Sequence, residues 1–256
     1  MSDLWSCIRL KFVHYNLGKY DVQDMRPLAR DIAPGDGMYD SSNVQHYFAV
    51  GESALDNIKE ALRLIGKESS VASVLDYACG YGRVLRWLYA YFPNVLGVDA
   101  DKKAVEAAHK AVGARTKVQD ISLATPIGET FDLIWVGSLF THLPRDEVGR
   151  CLTYLSSHLN KDGCLVFTTH GDLVAKRLAL KERAYGLGEL GIASLSSDYQ
   201  KTGYGFASYP KLTGYGISCT TTLNCMDLIR DNGLTPIMFK AAGWAKHQDI
   251  YAVTRN

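Results

Sequence analysis

Apolar residues along this chain fall into short runs and helical stripes that alternate. Leu55, Ile58, Leu62 and Ile65 recur at helical spacing, which predicts a helix from Ser53 with Gly66 at its C-terminal stop. Beyond it, the pattern predicts strands at 71–77, 94–99, 114–119, 131–137 and 163–169, and helices at 82–92, 101–112 and 145–159. Such alternation argues for a parallel sheet with helices on both faces. Gly171 to Thr222 breaks the rhythm: a helix at 172–184 leads into a Gly/Tyr/Ser-rich stretch that reads as a long loop. A last unit follows, with a helix at 223–231 and strands at 234–240 and 249–254. Only about eight residues join these two strands, too few for a parallel crossover, so the last strand is expected to be antiparallel. Residues 1–50 are irregular and aromatic, broken by Pro27, Pro34, Gly35 and Gly37.

Bulk properties narrow the partners. The 256 residues suit one large domain or two small ones, and the net charge is +1 with no Lys/Arg run, so no nucleic-acid footprint is expected. Six scattered cysteines without a C-x-x-C pair suit free thiols in a reducing compartment, and no run approaches the ~18 apolar residues of a membrane span. A cytoplasmic protein is expected. Oligomeric state is not legible at this level.

The most informative stretch is VLDYACGYGR, Val74 to Arg83. A buried strand, a small-residue turn and a helix start make a nucleotide-type pocket, because the helix N-terminus offers free N–H groups. A dinucleotide site would have G-x-G-x-x-G, but the third position here is Leu85. Asp76 would repel a pyrophosphate and suits an ammonium instead. Asp99, 19 residues beyond Gly80, can accept from ribose hydroxyls, and Asp120 ends the third strand where an adenine amino group could be read. Three acids at successive strand ends describe a pocket for S-adenosylmethionine (SAM).

On these residues, together with FDLIWVGSLFTHLP (131–144) and GCLVFTTHG (163–171), the chain resembles the class I SAM-dependent methyltransferases over roughly 45–256. The resemblance implies a Rossmann-like, seven-stranded, mostly parallel α/β sheet with an antiparallel last strand. It implies SAM as cofactor and S-adenosylhomocysteine as product. Gly80 and Gly137 would line the methionine part, Asp99 the ribose and Asp120 the adenine, with Asp76, Ala78, Gly82, Ala100 and Ile121 completing the cofactor site. Residues 1–50 would be a lid or extension, contributing Tyr47, with Gly51 just after it. Residues 51–256 would be the methyltransferase domain, with an acceptor cap inserted at about 172–222. Gly243-Trp244-Ala245-Lys246-His247-Gln248-Asp249 is similar to a GWxxHQD subgroup associated with glycan and natural-product pathways.

Three histidines, His142, His170 and His247, fall at the ligand edge of the predicted sheet and are candidates for a base that deprotonates a hydroxyl. Asp249 could orient His247. Tyr204, Tyr209 and Tyr215 are candidate acceptor contacts, since aromatic faces with polar tips suit a sugar ring or flat metabolite. Cys79 reads as a small turn residue, and no metal site is expected. The fourth-strand motif is Gly137-Ser138-Leu139-Phe140 rather than D/N-P-P-Y, which argues against DNA adenine or protein glutamine targets. The expected function is O-methylation of a small molecule or glycan. The alternatives are N-methylation of a small amine and a non-catalytic SAM-binding module.

Overall fold

Along each central strand of the computed structural model, which describes residues 26–255, side chains alternate between two cores. Residues 1–25, including the first half of the expected extension and Cys7, lie outside the described residues. In chain order the elements are helix α1 (Val44–Leu64), β1 (Val74–Tyr77), α2 (Leu85–Tyr91), β2 (Val95–Asp99), α3 (Lys102–Val112), β3 (Arg115–Val118), β4 (Phe131–Val136), α4 (Arg145–Ser157) and β5 (Leu159–Thr169). There follow α5 (Asp172–Ala179), α6 (Glu189–Thr202), β6 (Tyr204–Ser208), β7 (Gly216–Thr220), α7 (Thr222–Asp231), β8 (Leu234–Trp244) and β9 (Gln248–Arg255).

Seven strands form one sheet in the order β3-β2-β1-β4-β5-β9-β8. Pairing is parallel from β3 to β5, and β9 runs antiparallel to both β5 and β8, as the sequence predicts. Val74, Leu133, Trp135, Val166 and Ile250 point to the core beneath α1 and α2. Leu75, Ile134, Val136, Phe167 and Tyr251 point to the opposite core, beneath α4 and α7. Burial on both faces is why these strands read as continuous apolar runs rather than alternating ones.

Several boundaries differ from the sequence pattern. Helix α1 begins at Val44, not Ser53, capped by Asn43, whose side chain accepts from the His46 amide. It therefore runs unbroken through the expected boundary at 50/51. The longer β8 ends at Trp244, so only Ala245–His247 separate it from β9. The largest difference is the stretch expected as a long loop. It folds as α6 and the β6–β7 hairpin, which with α5, where a helix is expected, enclose a small core of Val174, Leu178, Leu187, Leu195, Ala207, Ile217 and Cys219. In α6 only Leu195 is fully buried, and Gly191, Ser196 and Ser197 blur the apolar stripe, so its periodicity is weak.

The N-terminal segment is tied to α2 by buried polar contacts. The Arg86 guanidinium donates to the carbonyls of Ala29 (2.8 Å) and Asp31 (3.0 Å), and Tyr47 Oη donates to Asp36 (2.7 Å). Helix α1 docks on α2 through Gly51, where a Cβ would collide with the Trp87 ring and sit 2.5 Å from the Arg83 carbonyl oxygen. The backbone oxygen cannot move aside. Gly51→Ala is therefore expected to cost about 1–3 kcal/mol by overpacking. Urea denaturation would show a lower midpoint at unchanged slope, and an unchanged midpoint would refute the close-packing role.

Candidate active site

The sheet reverses its strand order between β1 and β4, so the loops after them diverge and leave a crevice. Asp76 pairs with Trp135 and Tyr77 with Val136 in register, which sets the openings at Ala78 and Gly137 level with each other. Ala78 (φ 63°) and Ser138 (φ 64°) both adopt the left-handed conformation, unusual for non-glycine residues and concentrated at ligand sites. At Gly82 (φ 89°) a Cβ would approach Val112 of α3 to 3.0 Å, so glycine there both permits the turn and lets α3 pack against it.

Three adjoining cavities follow this crevice. One of about 310 Å³ is bordered by Asp36, Met38, Asp76, Gly80, Asp99, Gly137 and Ser138. A second, of about 620 Å³, is lined by Ala100, Gln119, Ile121, Leu139, Leu143 and Tyr215, and it shares Ala78 and Asp99 with the first. A third, of about 720 Å³, holds His142, His170, His247, Tyr209 and Gln248. It meets the first cavity at Met38, Arg83, Ser138 and His142.

The acids occupy distinct environments. Asp99 accepts the Gly80 amide on Oδ2 (2.8 Å) and the Asp101 amide on Oδ1 (2.9 Å), leaving a lone pair on each oxygen. Asp76 is 1% exposed, and its Oδ2 has no hydrogen-bond partner. Burial, reinforced by the Asp99 charge, pushes its carboxyl well above the usual range. Asp120 accepts the Ser122 amide (2.7 Å) and lines a shallow outer cavity with Ala100 and Ile121, the latter 80% exposed.

The three histidines form a row. Ring centroids are 6.5 Å apart between His142 and His170, and 5.5 Å between His170 and His247. Strand β7 of the inserted subdomain holds two of them. His142 Nδ1 donates to the Gly216 carbonyl (2.7 Å), and His170 Nδ1 donates to the Ser218 carbonyl (3.2 Å). In return, the Gly216 and Thr220 amides donate to the carbonyls of His142 (3.0 Å) and His170 (2.9 Å). A carbonyl can only accept, so each neutral ring carries its proton on Nδ1 and its free lone pair on Nε2. Burial lowers the pKa of His142. Burial, with His247 and His142 nearby, lowers that of His170 to about 3. His247 Nδ1 accepts from Arg177 (3.1 Å), and its pKa is lowered by burial and by Arg177 and Arg183.

A closed ring of hydrogen bonds fixes Ser138 between the two chambers. Its amide donates to Thr168 Oγ1 (2.8 Å), Thr168 donates to Gln248 Oε1 (2.6 Å), and Gln248 Nε2 donates to Ser138 Oγ (2.9 Å). Ser138 spends its acceptor role on Gln248, so its O–H remains free to donate.

Several expected site residues have other work. Tyr47 lines none of these three cavities; it holds Asp36, which borders the first. Gly51 and Gly82 pack helices rather than border the cavities. Tyr204 is buried with its hydroxyl donated to the Leu143 carbonyl (2.7 Å), so it cannot face an acceptor. Tyr215 stacks on His142 (5.0 Å) but borders the first two cavities and not the third, whereas Tyr209 borders the third. Asp249 accepts the Ala242 amide (2.7 Å), and the partner of His247 is Arg177 instead. The sequence reading missed Arg83, Ser138, Arg177, Arg183 and Gln248. Arg83 ends the quoted VLDYACGYGR stretch, Ser138 stands in the fourth-strand motif and Gln248 in the GWxxHQD stretch, whereas no local motif marks Arg177 or Arg183.

Comparison with known proteins agrees with this geometry. Residues 74–163 match the methyltransferase domain family. An uncharacterized methyltransferase of Alkaliphilus oremlandii (strain OhILAs) is 29% identical over 142 residues, covering 53% of this chain. The match spans 64% of that relative's length. Among solved structures, magnesium protoporphyrin IX methyltransferase from Synechocystis PCC 6803, with bound S-adenosylhomocysteine, superposes with a TM-score of 0.58 at 18% identity, covering 87% of this chain and 90% of that one. A SAM-dependent methyltransferase from Clostridium acetobutylicum ATCC 824 gives 0.57 at 15% identity, covering 98% and 99%. Residues 74–163 thus carry a methyltransferase domain, in a sheet with the fold of SAM-dependent methyltransferases, and SAM is its cofactor.

The residues present fit that cofactor. A buried carboxyl with Oδ2 lacking a protein partner suits an ammonium, and Asp99 retains acceptor capacity for paired hydroxyls. Asp76→Asn is expected to weaken SAM binding by about tenfold or more, as loss of a charge-assisted contact. It should also raise the melting temperature of the cofactor-free protein near pH 7. The raised folded pKa means that the ionised carboxylate destabilises the fold as pH rises above 3.8, and Asn removes that charge. Calorimetry and thermal melts check both effects; unchanged SAM affinity would remove Asp76 from the site.

Proposed function

We propose that the chain is an active SAM-dependent O-methyltransferase whose acceptor is a hydroxyl on a small molecule or glycan. In this reading the adenosine part lies in the 620 Å³ cavity, the methionine part in the 310 Å³ cavity and the acceptor in the 720 Å³ cavity, beneath the cap formed by residues 172–220. The bound cofactor supplies an electrophilic methyl on a sulfonium, which leaves as a neutral thioether. The protein's share is to align the acceptor and remove its proton.

One observation carries the reading. His142 borders both the methionine and acceptor chambers, with Nδ1 committed to Gly216 and the Nε2 lone pair free. Its lowered pKa keeps it neutral at pH 7, ready to accept the hydroxyl proton. His170, at about 3, is too weak a base for this task and serves instead to order the row. Ser138, fixed by Thr168 and Gln248, can donate its O–H to the acceptor oxygen. The buried free thiols at Cys79, Cys151, Cys164, Cys219 and Cys225 suit a reducing compartment such as the cytoplasm. Among the described residues, no helix is long and apolar enough to cross a membrane.

Methyl-donor turnover against hydroxylated and amino acceptors tests the reaction type. Preference for an amine supports N-methylation, and SAM binding without turnover supports a non-catalytic module. With the preferred acceptor, His142→Ala is expected to lower kcat by about 10²–10⁴-fold while SAM affinity changes far less. The acid limb of the wild-type pH profile should fall below 6.5, because burial depresses the pKa of His142. Wild-type turnover in His142→Ala would exclude it as the base.

A further inference from the structure

The chain as a whole is nearly balanced, with 28 basic and 27 acidic residues. The acceptor cavity is not. Its lining holds Arg83, Arg177, Arg183 and Lys246 but no aspartate or glutamate. Among the described residues none of these four cations forms an ion pair. The neighbouring methionine cavity shares Arg83 but holds three aspartates, Asp36, Asp76 and Asp99.

Three of the cations belong to one end of the cavity. Arg177 donates to His247 Nδ1 (3.1 Å), which pins the guanidinium while using one of its five N–H groups. Arg183 lies over the Tyr185 ring (4.9 Å to the centroid), and that ring stacks on His247 (5.7 Å, 19° between planes). Lys246 adjoins His247 in the β8–β9 turn, held at φ 56°. At the other end stand His142 and Ser138, against the methionine chamber. The ends are separated by the histidine row, with steps of 6.5 and 5.5 Å.

We propose that the acceptor carries a carboxylate or phosphate group, bound by Arg177 and Arg183 at the end of the cavity remote from His142. The proposal rests on the methyltransferase reading above and names the substrate class of the same site. Paired guanidinium groups suit planar, multidentate oxyanions, and stacking on Tyr185 and His247 limits the freedom lost on binding. The lowered pKa of His247 is consistent with two arginines beside it. An ammonium-bearing acceptor would meet only like charge here.

The test uses the full chain with S-adenosylhomocysteine bound, titrated with sodium benzoate, sodium phosphate and benzylammonium chloride at constant ionic strength. Calorimetry and thermal shift are the readouts. Saturable binding of benzoate or phosphate, with none of benzylammonium, supports the proposal, and the stronger of the two anions identifies its source as carboxylate or phosphate. The Arg177→Gln, Arg183→Gln double variant should bind that anion about tenfold more weakly or worse, with S-adenosylhomocysteine affinity retained. Should the double variant fail to fold, Arg183→Gln alone, at an exposed side chain, carries the same expectation. Binding of benzylammonium instead, no saturable anion binding, or anion affinity unaffected by the substitutions would each overturn it. Failure of S-adenosylhomocysteine to bind would instead overturn the methyltransferase reading, and titration of the free protein would still decide the anion site.

Discussion

Parallel pairing of β1 with β4 is the constraint on which the site depends. These strands are neighbours in space but are separated in sequence by two strands and two helices. The chain leaves β1 toward one edge of the sheet and returns to β4 to grow toward the other, so consecutive loops must part at this seam. The register brings Ala78 and Gly137 to the same level, and the acids of β1 and β2 then face a crevice that no side chain fills. Burial on both faces makes the pairing costly to shift, because a slip of one residue would exchange the two cores.

The seam supplies a crevice, and the inserted subdomain makes it asymmetric. Strand β7 exchanges hydrogen bonds with the histidine that follows β4 and with the histidine that ends β5, fixing both ring tautomers. Burial in that position keeps the row uncharged. Charge is therefore left to the groups on either side, aspartates around the 310 Å³ cavity and guanidinium groups around the 720 Å³ cavity. A sulfonium on the first side and an oxyanion on the second would each meet opposite charge, which gives the two chambers a built-in polarity.

Backbone strain collects at the same boundary. Ala78, Ser138, Tyr185, Ala245 and Lys246 all adopt positive φ and all line the cavities. Such conformations cost of order 1–3 kcal/mol each and persist only when the surroundings over-determine them. At Ser138 the compensation is visible as the closed ring with Thr168 and Gln248. In the β8–β9 turn it comes from Trp244, whose indole donates to the Val50 carbonyl (2.9 Å) and packs edge-on against Trp135 (5.4 Å). Trp244, His247, Gln248 and Asp249 thus each have a structural reason for their place.

The sequence by itself determined the sheet, its antiparallel end, the glycine turn and the acids Asp76 and Asp99. These follow from strand-length apolar runs and from residues adjacent in the chain. It also put all three histidines on one edge, because strand direction is enough to assign an edge. Tertiary structure decided the rest. It withdrew Tyr47, Gly51, Gly82 and Tyr204 from the cavity lining, since small or aromatic residues serve close packing as readily as binding, and only their neighbours tell which. It turned the expected loop after the helix at 172–184 into a folded cap, whose weakly amphipathic α6 shares a small core with α5 and the β6–β7 hairpin. And it gathered Arg83, Arg177, Arg183 and Lys246 around one chamber. No spacing rule links these four, because the electrostatic character of a cavity is a property of the space they enclose and not of the order in which they are joined.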